Sequence, residues 1–220
     1  MNNKLKLSGL ATAAVLLFGS SGYVVGAQPM KSAESVKPAV AATATTATAI
    51  LAGGCFWCVE SDFDKLPGVI ATESGYTAGR TVNPTYEQVS AGGTGHTEAV
   101  RITYDPKQLS YKQLIEYFWR HIDPTVKDRQ FCDVGTQYRS GIYWQNEDER
   151  KIVEASRDAL LKSGKLSRIY TEIAAAAVFY PAEEYHQDYY RKNPIRYRYY
   201  RGGCGRDSRL KEIWGADAGH

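Results

Sequence analysis

The amino-acid sequence predicts a single α+β domain, in which helices pack on a mixed β-sheet. Short apolar or alternating runs, which are typical of strands, occur between longer segments with helical periodicity. The connections are long, and several successive strands could pair antiparallel, which disfavours a purely parallel sheet. The folded domain is predicted over residues 47–205.

Five segments are predicted to be strands, because they are short and apolar or alternate in polarity. The first is apolar and ends at Gly53 and Gly54, and the third alternates through Val100, Ile102 and Tyr104. The predicted strands are residues 46–52, 69–76, 96–104, 139–144 and 170–179.

Four segments are predicted to be helices from their apolar spacing and their boundary residues. Pro67 ends the first helix, and Ser110 is the expected N-cap of the second. Gly164 ends the third helix, and Pro181 starts the fourth. The predicted helices are residues 56–66, 110–122, 147–163 and 181–191.

Three segments are predicted to lack regular structure. Residues 77–95 form a loop whose length suggests a functional role, and residues 123–137 form a second, polar loop. From Asn193 onward tyrosine, arginine and glycine dominate, so we expect irregular structure there. Residues 206–220 are predicted to be a C-terminal tail outside the domain.

The first residues have the pattern of a secretory signal peptide. Lys4 and Lys6 give a basic start, and residues 10–18 are a short apolar run. The small residue Ala27 precedes a plausible cleavage site, so residues 1–27 are predicted to be removed on export. We therefore expect a periplasmic protein without stable membrane insertion. An uncleaved membrane anchor is the alternative.

The composition after this segment indicates a linker and then a nearly neutral domain. Residues 28–46 are mostly Ala, Thr, Ser, Pro and Lys, which cannot form a core. The formal net charge of the whole chain is +3, and removal of the predicted signal peptide takes away two lysines and no acids. A nearly neutral body does not favour nucleic acid or an anionic membrane as partner. The basic, aromatic residues 189–201 are expected to form a solvated face.

The segment Cys55-Phe56-Trp57-Cys58 is the first candidate for chemistry. It lies where a strand ends and a helix begins, so unpaired N–H groups point at Cys55 and favour its thiolate. Cys58 follows one helical turn later, which gives the CxxC spacing of redox dithiols. A structural disulfide and a buried, inert Cys58 remain alternatives. A zinc site is not favoured, because Cys132 and Cys204 are isolated.

Five stretches of the sequence resemble the type A peptide methionine sulfoxide reductases in order and spacing. The resemblance covers about residues 46–205. The five stretches are Gly54-Cys55-Phe56-Trp57, Asn83-Pro84-Thr85-Tyr86-Glu87-Gln88-Val89, Gly95-His96-Thr97-Glu98, Asp133-Val134-Gly135-Thr136-Gln137-Tyr138-Arg139-Ser140 and Glu184-Tyr185-His186-Gln187-Asp188-Tyr189. The resemblance implies a two-layer sandwich with a ferredoxin-like core.

The resemblance also implies the reduction of the S epimer of methionine sulfoxide, free or in proteins, without a metal or a cofactor. Cys55 would attack the sulfur, and Glu98 would protonate the oxygen. Tyr86 and Tyr138 would hold that oxygen. Four further residues would bind or orient the substrate. They are Phe56 and Trp57 in the methyl pocket, Asp133, and His186 in a supporting role.

The resemblance leaves the second, resolving cysteine open. Cys204, in a glycine-rich segment, and Cys58 are the candidates to form a disulfide with Cys55, and Cys132 is expected to be a bystander. A thioredoxin-like donor would reduce that disulfide. The alternative function is an exported CxxC thiol–disulfide oxidoreductase, which would not need an acid at Glu98.

Overall fold

The computed structural model of the protein describes residues 45–219. Six strands form one mixed sheet in the order β7-β6-β1-β3-β2-β8, and β4 and β5 form a separate hairpin. The strands are β1 (Ala47–Gly53), β2 (Val69–Thr77), β3 (Thr97–Tyr104), β4 (Arg129–Gln130), β5 (Asp133–Val134), β6 (Ser140–Trp144), β7 (Glu172–Ala175) and β8 (Tyr180–Pro181).

Helices connect the strands and extend beyond the last one. They are α1 (Phe56–Phe63), α2 (Tyr86–Ser90), α3 (Tyr111–Arg120), α4 (Glu147–Lys162), α5 (Tyr189–Lys192), α6 (Pro194–Gly203) and α7 (Arg206–Trp214). Short 3-10 turns occupy Thr136–Tyr138 and Gly215–Asp217. None of the helices in the described part of the chain is long and apolar enough to cross a membrane.

The four central strands have the order and connections of a ferredoxin-like core. β6, β1, β3 and β2 lie side by side and pair antiparallel. α1 connects β1 to β2, and α3 lies between β3 and β6, which makes two interleaved crossovers. β7 adds a parallel edge strand to β6, so the sheet is mixed and the predicted α+β class is confirmed.

The main core lies on one face of the sheet, against the helices. Leu51 on β1 packs there with Phe118 of α3 and Trp214 of α7, all at most 1% exposed. The alternate residues of β1, such as Ile50, face a smaller cluster that includes Phe179. Successive side chains of β1 therefore enter two apolar layers, one on each face of the sheet. The candidate site lies at the ends of the strands.

Three predictions about the C-terminal half are wrong. Residues 181–191 are not one helix, because Pro181 pairs with β2 as part of β8 and helical structure begins only at Tyr189. The residues after Asn193 are not irregular, since they form α6 and α7. Residues 206–217 also pack into the core rather than forming a loose tail.

The predicted signal peptide, residues 1–27, lies outside the described residues, as does the predicted linker up to residue 44. Export therefore stays a prediction.

Candidate active site

Cys55 lies in the tight turn between β1 and α1. It is the N-cap residue of α1 and only 6% exposed. Gly54 has φ +82°, and a Cβ atom at this position would lie 2.5 Å from Cβ of Gln130. The turn therefore requires glycine, both for its backbone conformation and for the close approach of the neighbouring loop.

Cys55 and Cys58 form a pair of free, buried thiols. Burial raises the pKa of Cys55 well above its usual range, and the hydrogen bond with Cys58 and the charge of Glu98 raise it further. The same hydrogen bond lowers the pKa of Cys58, helped by Arg206 and Arg201 and opposed by burial. The expectation that the helix start lowers the pKa of Cys55 is wrong, because burial outweighs it.

Glu98 supplies a protonated carboxyl beside this pair. It lies on β3, is 2% exposed, and its Oε2 accepts a hydrogen bond of 2.9 Å from the Phe56 N–H. Burial raises the pKa of Glu98 to about 8, with a further contribution from Asp133 and against the effect of the Phe56 hydrogen bond. The carboxyl is thus mainly protonated at neutral pH and can act as an acid.

Tyr86 and Tyr138 bring two neutral phenols to the same place. Tyr86 begins α2, where its N–H donates to Oε1 of Glu183 at 2.8 Å, and Tyr138 ends the 3-10 turn after β5. Burial raises the pKa of Tyr86 to about 12 and raises that of Tyr138 further. The charges of Glu98 and Cys55 add to both shifts, so the two phenols lie near the reacting groups and remain hydrogen-bond donors.

The rings of Phe56 and Trp57 form an apolar surface, and the His186 ring packs against both of them. The Phe56 ring stacks on Tyr86 at 6.5 Å, and Trp57 stacks on Tyr189 at 3.7 Å. Trp57 Nε1 donates to Nδ1 of His186 at 3.0 Å, and burial lowers the pKa of His186. His186 is 2% exposed, so its geometry fits a neutral residue that orients Trp57.

The side chains of Asp133 and Tyr200 approach Cys55 from β5 and α6. Tyr200 Oη donates to Oδ2 of Asp133 at 2.6 Å, and burial, followed by the charge of Cys55, raises the pKa of Tyr200. A disulfide joins Cys132 to Cys204, with their Cα atoms 4.9 Å apart. Cys204, a candidate partner of Cys55, is thus bonded to Cys132, and the expectation that Cys132 is a bystander in the reaction stays a prediction.

Cys132, Asp133 and Cys204 form a cluster of possible metal ligands. The potential ligand atoms of Cys132, Asp133 and Cys204 lie within 4.8 Å of one another. The two sulfurs are bonded to each other, so they offer no thiolates to a zinc ion. These residues therefore provide a disulfide next to Asp133 in the site.

The family model for peptide methionine sulfoxide reductases matches residues 47–218. The chain belongs to this family. The resemblance found in the sequence is thereby confirmed, and the match extends past residue 205 through α7.

Individual relatives of this reductase agree with the family match. The peptide methionine sulfoxide reductase MsrA of Bacillus pumilus is 53% identical over 167 residues, which cover 76% of this chain and 94% of the relative. A second, from Caulobacter vibrioides, is 46% identical and covers 91% of this chain and 97% of the relative. The solved structure of methionine sulfoxide reductase A of Corynebacterium diphtheriae superposes with a TM-score of 0.62 at 40% identity, covering 68% of this chain and 76% of that one. The protein is thus an enzyme, a peptide methionine sulfoxide reductase of type A.

The sequence analysis missed a buried charge cluster in this reductase, beneath Cys58. Asp62 is 0% exposed and pairs with Nη1 of Arg201 at 2.7 Å. Nε of Arg206 lies 3.8 Å from the other oxygen of Asp62, and Nη2 of Arg206 donates to the Gly53 carbonyl at 3.0 Å. Arg206 therefore connects α7 to the turn that carries Cys55.

Proposed function

We propose that this enzyme reduces the S epimer of methionine sulfoxide, free or in proteins, with Cys55 as nucleophile and Glu98 as acid. The observation that carries the proposal is the buried carboxyl of Glu98, held beside Cys55 by the Phe56 N–H at 2.9 Å and with its pKa raised by burial to about 8. A sulfoxide oxygen leaves only when it is protonated, and this carboxyl can supply the proton.

The reaction begins with attack of the Cys55 thiolate on the sulfoxide sulfur while Glu98 protonates the oxygen. A bond forms between the sulfur of Cys55 and that of the substrate, the sulfur–oxygen bond breaks, and the protonated oxygen leaves as hydroxide. This hydroxide attacks the Cys55 sulfur, the new sulfur–sulfur bond breaks, methionine leaves, and Cys55 becomes a sulfenic acid. The substrate sulfur gains two electrons, and Cys55 loses two. Tyr86 and Tyr138 donate hydrogen bonds to the charge that develops on the oxygen. Phe56 and Trp57 contact the methyl group.

Cys58 is the resolving thiol that the geometry favours. Its N–H donates to the Cys55 carbonyl at 3.1 Å, and its interaction with Cys55, together with the charges of Arg206 and Arg201, lowers its pKa, which increases its thiolate fraction. Its sulfur displaces the hydroxyl of the Cys55 sulfenic acid as water and forms a disulfide. Cys204 remains the competing candidate, and it would first have to leave its disulfide with Cys132.

Export and recycling complete the proposal. The basic start, short apolar run and small residues of residues 1–27 support secretion to the periplasm, where the enzyme would repair oxidised proteins. A thioredoxin-like donor would then reduce the disulfide. In that compartment the donor must itself be exported or connected to the membrane.

A single-turnover experiment tests the chemistry. Fully reduced enzyme, freed of reductant, is mixed with excess methionine S-sulfoxide, and methionine and disulfides are quantified by mass spectrometry. We expect about one methionine per chain for each disulfide formed, with Cys55–Cys58 appearing first. A Cys55–Cys204 bond appearing first would transfer the resolving role to Cys204.

The Cys58→Ser variant is the matched control for the resolving step. It should still form methionine once, with a Cys55 sulfenic acid that dimedone traps. No methionine from folded, reduced wild-type enzyme would overturn the proposal. Retained disulfide exchange in that case would favour the thiol–disulfide oxidoreductase.

A further inference from the structure

The Glu183 carboxylate accepts hydrogen bonds from two different elements of the fold. Oε1 accepts one of 2.8 Å from the Tyr86 N–H, and Oε2 accepts one of 2.8 Å from the Tyr76 hydroxyl. Tyr76 lies on β2 and is 0% exposed, whereas Tyr86 is the first residue of the short helix α2. Glu183 therefore connects the start of α2 to a fully buried side chain of the sheet.

Tyr76 occupies a fixed position next to the proposed acid. It pairs with Glu98 in the antiparallel register of β2 and β3, so the two side chains are neighbours on one face of the sheet. Its ring also packs against Phe56, with 5.9 Å between the ring centroids. A carboxylate that is bound by Tyr76 therefore keeps a constant position relative to Glu98 and Phe56.

The backbone around Glu183 is held to the same strand, β2. The Ala182 N–H donates to the Ser74 carbonyl at 2.9 Å. The Gln187 side chain accepts from the Ser74 N–H and donates to the carbonyls of Ser74 and Ala182, each at 2.9 Å. Glu183 lies between Ala182 and Gln187, so both its backbone and its carboxylate are attached to β2.

The start of α2 needs an acceptor outside the helix. The N–H of a first helical residue has no partner within its own helix. The capping box of α2 pairs the Thr85 side chain with the Gln88 N–H, and the Gln88 side chain with the Thr85 N–H. The Tyr86 N–H donates to Glu183, and the hydroxyl of the same tyrosine is the donor proposed for the sulfoxide oxygen.

We propose that Glu183 is a positioning residue for the reduction, which fixes the Tyr86 hydroxyl at the sulfoxide oxygen by binding the Tyr86 backbone to Tyr76. This role rests on the reductase chemistry proposed above. Glu183 transfers no proton and contacts no reacting atom, and it acts through Tyr86. Its negative charge is not required, because the role needs only an acceptor for the Tyr86 N–H and a partner for the Tyr76 hydroxyl.

The first test removes both acceptors and keeps the length of the side chain, in Glu183→Met. The matched control is Glu184→Gln, at the next position, where the side chain is 89% exposed and pairs with Lys192. We expect the single-turnover rate constant at saturating methionine S-sulfoxide to fall about 10-fold in Glu183→Met, because a small misplacement of Tyr86 is sufficient. The half-saturating concentration should stay within about twofold, since Tyr86 stabilises the transition state. Glu184→Gln should behave as wild type.

Glu183→Gln should rescue the rate. Its amide oxygen can accept from the Tyr86 N–H while its NH₂ group donates to the Tyr76 hydroxyl, which can accept as well as donate. We expect Glu183→Gln to react within about threefold of wild type. A Glu183→Gln rate as low as that of Glu183→Met would overturn the proposal, because the charge of Glu183 would then be what the reaction needs.

A double-mutant cycle with Tyr86→Phe tests whether Glu183 acts through the Tyr86 hydroxyl. Tyr86→Phe removes the donor and should slow the reaction about 100-fold. In that background Glu183→Met should change the rate by less than about twofold, because no donor remains to be misplaced. Equal losses from Glu183→Met in the two backgrounds would overturn the proposal and would indicate a general effect on the fold.

A readout without sulfoxide separates failure of the proposed function from failure of this role. Exchange of the Tyr86 amide proton with deuterium is followed by nuclear magnetic resonance. Its protection should fall in Glu183→Met and persist in Glu183→Gln and Glu184→Gln, even if wild-type enzyme forms no methionine. Unchanged protection in Glu183→Met would overturn the proposal. If Glu183→Met does not fold, Glu183→Asp takes its place with the same expectations, because the shorter carboxylate cannot reach both donors.

Discussion

The Cys55 site has two walls of different chemistry. The substrate wall consists of Phe56, Tyr86, Glu98 and Tyr138, which are apolar or neutral groups near the end of the sheet. The C-terminal wall consists of Tyr200, Arg201 and Arg206 on α6 and α7, together with the Cys132–Cys204 disulfide. The difference indicates a division of labour. In the proposed reaction the first wall contacts the sulfoxide oxygen, and the charges of the second wall act on the thiols.

The largest expected effect comes from the substrate wall, in Glu98→Gln. Removal of the acid should lower the single-turnover rate by about 10²- to 10⁴-fold. Only the protonated carboxyl donates, and burial raises the pKa of Glu98 to about 8. The wild-type rate should therefore fall as the pH rises through that value, and stopped-flow measurements of Glu98→Gln should lack this alkaline decline.

Glu116→Gln, an exposed change on α3, is the control for the acid. A Glu98→Gln rate within a few-fold of the control, or an alkaline decline that persists without Glu98, would mean that this wall does not supply the proton.

Arg206→Met tests the C-terminal wall with a side chain of similar length. The variant leaves the carbonyls of Gly53 and His121 without their donor and reduces the charge that balances Asp62. We expect a loss of about 3 kcal/mol in the free energy of unfolding, measured by urea denaturation. Arg198→Met, on the exposed face of α6, should change stability by less than about 0.5 kcal/mol. Equal stabilities of the two variants would contradict a structural role for Arg206.

The residues of the substrate wall were identified by the resemblance to the reductase family, and local sequence patterns predicted only the elements that carry some of them. Gly53 and Gly54 after an apolar run locate the turn, and alternation along β3 places Glu98 on a strand. The direction of the Cys55 pKa shift could not be predicted, because it depends on the burial of the thiol in the folded protein. The helix end was visible in the sequence, and the desolvation that outweighs it was not.

The C-terminal wall was missed because its helices have few aliphatic residues. Pro194 at the first position of α6, and Leu210 and Trp214 four residues apart on α7, were the signals available. Before α5 a helix was predicted where none begins, because Glu183 and Glu184 follow Pro181 as they would at a helix start. Glu183 instead accepts hydrogen bonds from the Tyr86 N–H and the Tyr76 hydroxyl, a tertiary role that local patterns do not reveal.

Removal of the disulfide tests whether the C-terminal wall is stabilised separately from the substrate wall. Cys132 and Cys204 are 72 residues apart, and the double change of both to Ser should lower the free energy of unfolding by about 2–4 kcal/mol. Wild-type enzyme in dithiothreitol should lose a similar amount, whereas the double variant should not respond. The alkaline decline assigned to Glu98 should remain. Unchanged stability in urea titrations of the double variant would show that the bond does not hold this wall.

The smallest expected effect comes from the replacement of a helix cap. Two caps are compared, and only one of them begins a helix that contributes to the substrate wall. Thr85 caps α2 and Ser110 caps α3, and each forms a capping box with a glutamine three residues later. Only α2 begins with a residue of the substrate wall, Tyr86. Replacement of either cap by Ala should cost about 1 kcal/mol of stability, measured by thermal unfolding.

Activity should separate the two caps. Thr85→Ala should lower kcat/KM roughly threefold, since a small shift of Tyr86 weakens one of two phenol contacts with the oxygen. The effect should be no larger, because Oε1 of Glu183 still holds the Tyr86 N–H at 2.8 Å. Ser110→Ala should leave kcat/KM unchanged at the same loss of stability. If both variants lost activity equally, the rate would follow global stability, and the substrate wall would not depend on the local start of α2.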